Sequence, residues 1–267
     1  MIDLDFLTEQ VKRLAFEIGA FLREQRQDFH ADRVEQKRSH DYVSYVDKES
    51  ERRIVARLHE LLPEAGFMAE EGSGAKVSEK YWWVVDPLDG TTNFIHDNAP
   101  YCVSIALMDE SEVLIGVVYE CCRDELFWAN KNSHAFLNGR EIRVSDVKTL
   151  DQSLVLFGLP YDAEAYREFV VDLLRRLYGN TCSLRGLGSA AAELCYVACG
   201  RYDAYVEGFI YPWDVAAGAI ILKQAGGMIT DNSGGTSWCS GKEVVATNGH
   251  VHSELLAVVK CSADKFL

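Results

Sequence analysis

Two carboxylates three residues apart, Asp86 and Asp89, interrupt the stretch WWVVDPLDGTTNF just after four apolar residues. Held side by side they repel, at a cost that a cation between them removes. Hard oxygen ligands of this kind select Mg²⁺ over zinc or copper. The plainer reading is a type I turn with Asp first, Pro second and Gly after, and with Thr91 or Thr92 capping a following helix. Asp86 is expected to end a strand with its carboxylate at the sheet edge. Pro87 should stop further pairing, and Asp89 should return to the same region. Gly90 admits a backbone conformation other residues resist. GTTNF then opens a helix whose free N–H groups suit a phosphate. One short loop would hold a metal-binding pair and an anion cradle.

Those residues need elements to position them. Leu4, Leu7, Val11, Leu14, Ile18, Phe21 and Leu22 mark one face of a first amphipathic helix. A polar, charge-mixed loop or hairpin is expected from Gln25 to His40. A second helix is expected from about Asp47, which sits where an N-cap belongs, to Leu62-Pro63. Strands follow at Gly66–Ala69, Trp82–Asp86, Tyr101–Met108, Val113–Glu120 and Glu125–Ala129, with a turn at Asn138-Gly139. The second half alternates: strand Ser153–Gly158, helix Ala163–Tyr178, strand Cys182–Arg185, helix Ser189–Cys199 and strand Tyr202–Glu207. Helix Trp213–Ala225, strand Val244–Thr247 and a last helix from about Val251 complete it. This predicts an α+β or α/β chain, with residues 1–267 as one unit and a soft internal division near Lys148.

Composition bounds the function. The 267 residues carry 27 Lys and Arg against 41 Asp and Glu, a formal net charge of −14. That argues against a nucleic-acid partner, because phosphate backbones are held by clustered cations. Eight cysteines contain no CxxC, so neither zinc nor a disulfide framework is expected, and most sit among apolar neighbours. No apolar run is long enough for a membrane span and nothing resembles a signal peptide, so a cytoplasmic location is expected.

WVVDPLDGTTNF resembles the signature of the inositol monophosphatase family of magnesium-dependent, typically lithium-sensitive phosphatases. YPWDVAAGAIILKQAGG (Tyr211 to Gly227) is similar to the family's second signature, and FMAEEGSG (Phe67 to Gly74) to its Glu-Glu turn. All three occur in the family's order, and the resemblance spans nearly the whole chain. It implies a layered αβαβα sandwich of the sugar phosphatase type, two or three Mg²⁺ ions and a homodimer. Carried over residue by residue, Glu70, Asp86, the Leu88 carbonyl, Asp89 and Asp214 resemble metal ligands. Glu70, Thr91 and Asp47 would position the attacking water, and Gly90 and Thr91 would face the phosphate. Gly188, Ser189, Ala190, Glu207 and again Asp89 would meet the substrate. Plainer readings compete: an exposed acidic loop for Glu70, helix caps for Asp47 and Asp214, a strand-end surface charge for Glu207, and small residues at a helix start for 188–190. Arg185 is either a partner for a nearby acid or a surface cation. No Cys or Ser shows an evident activating partner.

The chain departs from the pattern at Ala69, where a glycine commonly stands, and at Pro212 before Trp213. Thr92-Asn93 favours the inositol branch. The expected activity is hydrolysis of inositol monophosphate. The alternatives are fructose 1,6-bisphosphate, 3′-phosphoadenosine 5′-phosphate, histidinol phosphate or NADP, or a non-catalytic metal- and phosphoester-binding regulator.

Overall fold

The computed structural model describes residues 2–29, 34–38, 41–74 and 80–267. The chain runs α1 (Leu4–Gln27), β1 (Val34–Arg38), β2 (Asp41–Ser44), α2 (Tyr45–Leu61), β3 (Gly66–Ala69), β4 (Tyr81–Asp89), α3 (Thr91–Ile95), β5 (Cys102–Asp109), β6 (Val113–Glu120), β7 (Glu125–Asn130), β8 (Phe136–Leu137) and β9 (Arg140–Glu141). It continues with β10 (Leu154–Phe157), α4 (Ala163–Leu177), β11 (Ser183–Arg185), α5 (Ala190–Ala198), β12 (Ala204–Gly208), α6 (Pro212–Gln224), β13 (Met228–Thr230), β14 (Glu243–Thr247) and α7 (His252–Phe266).

Among the described residues the strands form two main sheets and the β1–β2 pair. The larger sheet runs in the order β3 to β9, with β3 parallel to β4 and the rest antiparallel. The smaller sheet has the order β11-β10-β12-β14-β13, parallel at β10 and antiparallel around β14.

Three apolar clusters glue five layers. The apolar stripe of α1, with Ile54 and Leu58 of α2, packs on Trp83, Val85, Val103 and Ile105 of the larger sheet. The opposite face of that sheet meets α5 and α6, whose far sides meet Leu156, Tyr205, Val244 and Ala246 of the smaller sheet. Phe169 and Leu173 of α4 and Leu255 and Val259 of α7 cover the outside. The order is therefore α1α2, sheet, α5α6, sheet, α4α7: the expected αβαβα sandwich. Residues Val215 to Leu222 of α6 are all buried, as a helix apolar on every side requires when a sheet lies on each flank.

Several local expectations change. Helix α1 runs on to Gln27, so its last turn takes the start of the expected loop or hairpin; β1 lies in the rest of that segment and pairs antiparallel with β2 just beyond it, and residues 30–33, 39 and 40 lie outside the described residues. The N-cap of α2 is Ser44, not Asp47: the Ser44 hydroxyl accepts the Val46 N–H at 3.1 Å. Strand β4 continues through Asp89 rather than ending at Asp86. Cys102, Cys121 and Cys195 are buried as small hydrophobes, but Cys122, Cys182 and Cys261 are exposed.

Candidate active site

In a regular strand, residues 86 and 89 would point to opposite faces, since side chains alternate. Here Asp86 pairs with Ser104 and Asp89 with Cys102, three steps on β4 against two on β5. The extra residue is a bulge, and it turns both carboxylates to one side. Pro87, which has no N–H to lose, sits inside it. Asp86 Oδ1 accepts the Leu88 N–H at 2.9 Å. Asp89 Oδ2 accepts the Ser189 hydroxyl at 2.6 Å and the Ala191 N–H at 2.8 Å, so the start of α5 orients it.

Asp214 arrives from the far half of the sequence. It is the third residue of α6, and its Oδ2 accepts the Tyr211 N–H at 2.7 Å. Ligand oxygens of Asp86, Asp89 and Asp214 lie within 4.8 Å of one another, the first two buried and the third half-buried. Burial pushes Asp86 well above the usual carboxylate range, and the charges of Glu70, Asp89 and Asp214 push further. Asp214 rises well above that range for the same reasons. Burial lifts Asp89 to about 6, against the pull of the Ser189 hydroxyl and the Ala191 N–H. Oxygen-only donors this close, each raising its neighbours, fit a hard divalent cation.

Glu70 follows β3 directly and prolongs its pairing, with its N–H donated to the Val85 carbonyl at 3.1 Å. It is half-buried and lines the same cavity, not an exposed loop. A residue missed in the sequence holds this turn. Glu51 on α2 is fully buried, and its two oxygens accept the Glu71 and Ser73 N–H groups, each at 2.7 Å. Its signal was position: an acid three residues before Ile54 falls on the inward stripe of α2.

Asp47 is buried outside the cavity lining, and Thr91 links it to the cavity. Its Oδ2 accepts the Ser44 N–H at 2.9 Å and hydroxyl at 2.6 Å. Its Oδ1 faces the Thr91 hydroxyl at 3.0 Å. That hydroxyl also lies 3.0 Å from the Leu88 carbonyl, and its single proton serves one acceptor at a time. Burial raises Asp47, and the bonds from Ser44 and Thr91 oppose the rise. Gly90 precedes α3 with φ 89°, and a Cβ there would lie 2.9 Å from the Pro100 carbonyl. Gly90 and Thr91 both line the cavity.

Gly188, Ser189 and Ala190 form the opposite wall at the start of α5. Asn93, also missed as a site residue, ties the walls: its amide donates to the Pro100 carbonyl at 2.8 Å and the Leu187 carbonyl at 2.7 Å. Ser189 does have a carboxylate partner, contrary to expectation. Its proton goes to Asp89 and its oxygen takes the Ala192 N–H at 3.4 Å, so it orients Asp89 and caps α5. Glu207 is no surface charge: it lines the cavity next to the Tyr205 hydroxyl, which donates to it. Burial pushes it up to about 7. Gly158 makes room for it, because a Cβ there would sit 2.1 Å from its carboxyl group. Arg185 is exposed and donates to the neighbouring Leu184 carbonyl at 2.7 Å, which is the surface role.

The whole cavity encloses about 620 Å³. Besides the acids, its wall carries Tyr161, Phe209, Tyr211 and Trp213, with Tyr211 stacked on Trp213 at 4.9 Å.

A sequence model described as the Inositol monophosphatase family matches residues 3–263. A fructose-1,6-bisphosphatase/inositol-1-monophosphatase of Thermotoga maritima is 38% identical over 229 residues, 85% of this chain and 86% of its own. A Nus factor SuhB of Pseudomonas aeruginosa is 38% identical over 232 residues, with the same coverage. The solved structure of an IMPase from Thermotoga maritima superposes with a TM-score of 0.89 at 34% identity, covering 98% of this chain and 100% of its own.

Proposed function

Because this chain belongs to the inositol monophosphatase family, we propose that it hydrolyses a phosphate monoester with Mg²⁺, inositol monophosphate first among the candidates. The observation that carries the reading is the convergence of Asp86, Asp89 and Asp214 within 4.8 Å, with Glu70 on the same cavity. Glu70, Asp86, Asp89, Asp214 and the Leu88 carbonyl would hold the metal. Bound there, Mg²⁺ supplies Lewis-acid polarisation of a phosphoryl oxygen and eases deprotonation of water.

The chain's own residues do the rest. When the Thr91 hydroxyl donates to Asp47 Oδ1, its oxygen is left free to accept a proton from water. That proton has a route through Thr91 Oγ1 to Asp47 Oδ1. Ser44 fixes the Asp47 carboxylate in the orientation this needs. Glu70 would flank the water from the β3 side. Gly90 and Thr91 lie at the first turn of α3, where backbone N–H groups lack intrahelical acceptors and would be offered to a phosphoryl oxygen in the cavity. Gly188, Ser189, Ala190, Asp89 and Glu207 would receive the leaving alcohol. A covalent phosphoenzyme is not part of this reading. The Cys102 thiol is pushed well above its ordinary value by burial, and the Ser189 hydroxyl serves to orient Asp89 and to cap α5 through the Ala192 N–H.

Asp89, held by Ser189 and Ala191, supports treating 1–148 and 149–267 as one catalytic unit. Lithium inhibition and a homodimer belong to the same reading. So does a cytoplasmic location; among the described residues no helix is long and apolar enough to cross a membrane. The name of the Pseudomonas relative favours a second reading, a regulatory role without turnover. Phosphate release from inositol 1-phosphate, with Mg²⁺ and with EDTA, separates the two. Metal-dependent release is expected, and no release at saturating Mg²⁺ would leave the regulatory reading standing.

A further inference from the structure

Glu193 is a buried carboxylate that the chemistry above does not use. It is the fourth residue of α5 and only 1% exposed. Its Oε1 accepts the Leu187 N–H at 2.8 Å, tying the helix to the loop before it. Its Oε2 is buried and has no hydrogen-bond partner among the described residues. Leaving a buried acceptor unmatched is costly, and a ligand that brings a donor removes the cost.

The surroundings say which ligand. Glu193 lines the active-site cavity on the Asp89 side of the acidic cluster, where Glu207 is its strongest charged neighbour. Leu159, Tyr161, Phe209 and Tyr211 line the cavity as well. Among the described residues, no Lys or Arg lines it. The Lys242 ammonium lies 5.2 Å from the Phe209 ring and 5.8 Å from the Tyr211 ring, outside the lining.

We propose that Glu193 is a specificity-determining residue: with Glu207 it accepts hydroxyl donors of the leaving alcohol, so that the site takes monophosphates of uncharged polyols and disfavours esters whose alcohol carries a second phosphate. The proposal rests on the phosphatase reading. A hydroxyl brings the donor that Oε2 lacks. A second phosphate brings acceptors and negative charge to a desolvated wall that holds two acids and, among the described residues, no cation to meet them. A wall built to bond a hydroxyl discriminates far better than one that only accommodates shape.

The test compares kcat/KM for inositol 1-phosphate, fructose 1,6-bisphosphate and adenosine 3′,5′-bisphosphate, with p-nitrophenyl phosphate as a reference, in Mg²⁺ at pH 8. The proteins are the wild-type chain, Glu193→Gln and Lys242→Ala. Glutamine keeps an acceptor for the Leu187 N–H but turns an NH₂ toward the position of Oε2. The wild-type chain is expected to favour inositol 1-phosphate over each bisphosphate by about tenfold or more. Glu193→Gln should shrink that preference by about tenfold, while Lys242→Ala leaves it in place. The proposal is overturned if the wild-type chain cleaves the bisphosphates as readily. It is equally overturned if Glu193→Gln slows all four esters by one common factor, or if Lys242→Ala selectively removes bisphosphate cleavage. Turnover of none of the four, reference ester included, would instead overturn the phosphatase reading on which the proposal stands.

Discussion

Helices α2 and α6 begin alike and place their acids among different neighbours. Each has an aspartate at its third position, and each aspartate uses Oδ2 to accept the N–H of the residue before the helix: Ser44 for Asp47 at 2.9 Å, Tyr211 for Asp214 at 2.7 Å. In both, the helix N-terminus favours the negative charge. They part beyond that bond. Asp47 is surrounded by donors, with the Ser44 hydroxyl on one oxygen and the Thr91 hydroxyl on the other. Asp214 meets two further acids, Asp86 and Asp89. Local capping fixes where a carboxylate stands. In the proposed chemistry, its neighbours from elsewhere in the chain decide whether it handles a proton or shares a cation.

The comparison can be broken at either helix. Asp214→Asn should lower phosphate release by about 10³-fold and weaken Mg²⁺ binding with it, since it removes one proposed ligand of the shared cation. Unchanged circular dichroism would show that the fold survives. Asp47→Asn should cost about 10²-fold in kcat but leave Mg²⁺ affinity near the wild-type value, as measured by calorimetry. Thr91→Ala should behave similarly, and the double variant should lose little more, because the proposed relay runs through both. Equal losses of Mg²⁺ affinity in Asp47→Asn and Asp214→Asn would erase the distinction.

Stability against pH sharpens it. Asp89 is raised from 3.8 to about 6, and Asp86 and Asp214 are raised too. A carboxyl with a raised folded-state pKa stabilises fully below its unfolded pKa, and that stability is lost as pH rises through the folded value. For Asp89 the loss is about 3 kcal/mol at 1.36 kcal/mol per pH unit. The metal-free protein therefore loses this contribution between about pH 4 and pH 6 and above. Mg²⁺ should raise the Tm more at pH 8 than at pH 5, and an equal rise at both would count against a shared cation. The smallest effect belongs to the cap: Ser44→Ala should cost about 1 kcal/mol in urea unfolding.

Much of this was legible. The apolar stripe of α1, the strands at Gly66–Ala69 and Val113–Glu120, and the strand–helix alternation of the second half follow from periodicity and turn residues. The closeness of Asp86 and Asp89 was also legible, but not its cause. Pro87 reads equally well as a strand stop or as the filler of a bulge, and only pairing with β5 separates the two. Ser44 and Asp47 compete for the same cap, and the sequence gives no geometry to choose between them. Glu51 and Glu193 escaped notice because acids in helices usually face water. Each is instead buried where backbone N–H groups of a neighbouring loop need acceptors. Met228–Thr230 is too short, and too close to Gly226-Gly227, to announce a strand; it forms because β14 offers it an edge.

The most direct test is crystallographic: crystals grown with Mn²⁺ in place of Mg²⁺, with anomalous differences measured for the wild-type chain. The expected result is a strong peak within ligand distance of Asp86, Asp89 and Asp214 together. Well-ordered carboxylates at these positions with no peak between them, at a Mn²⁺ concentration that supports turnover, would contradict the account.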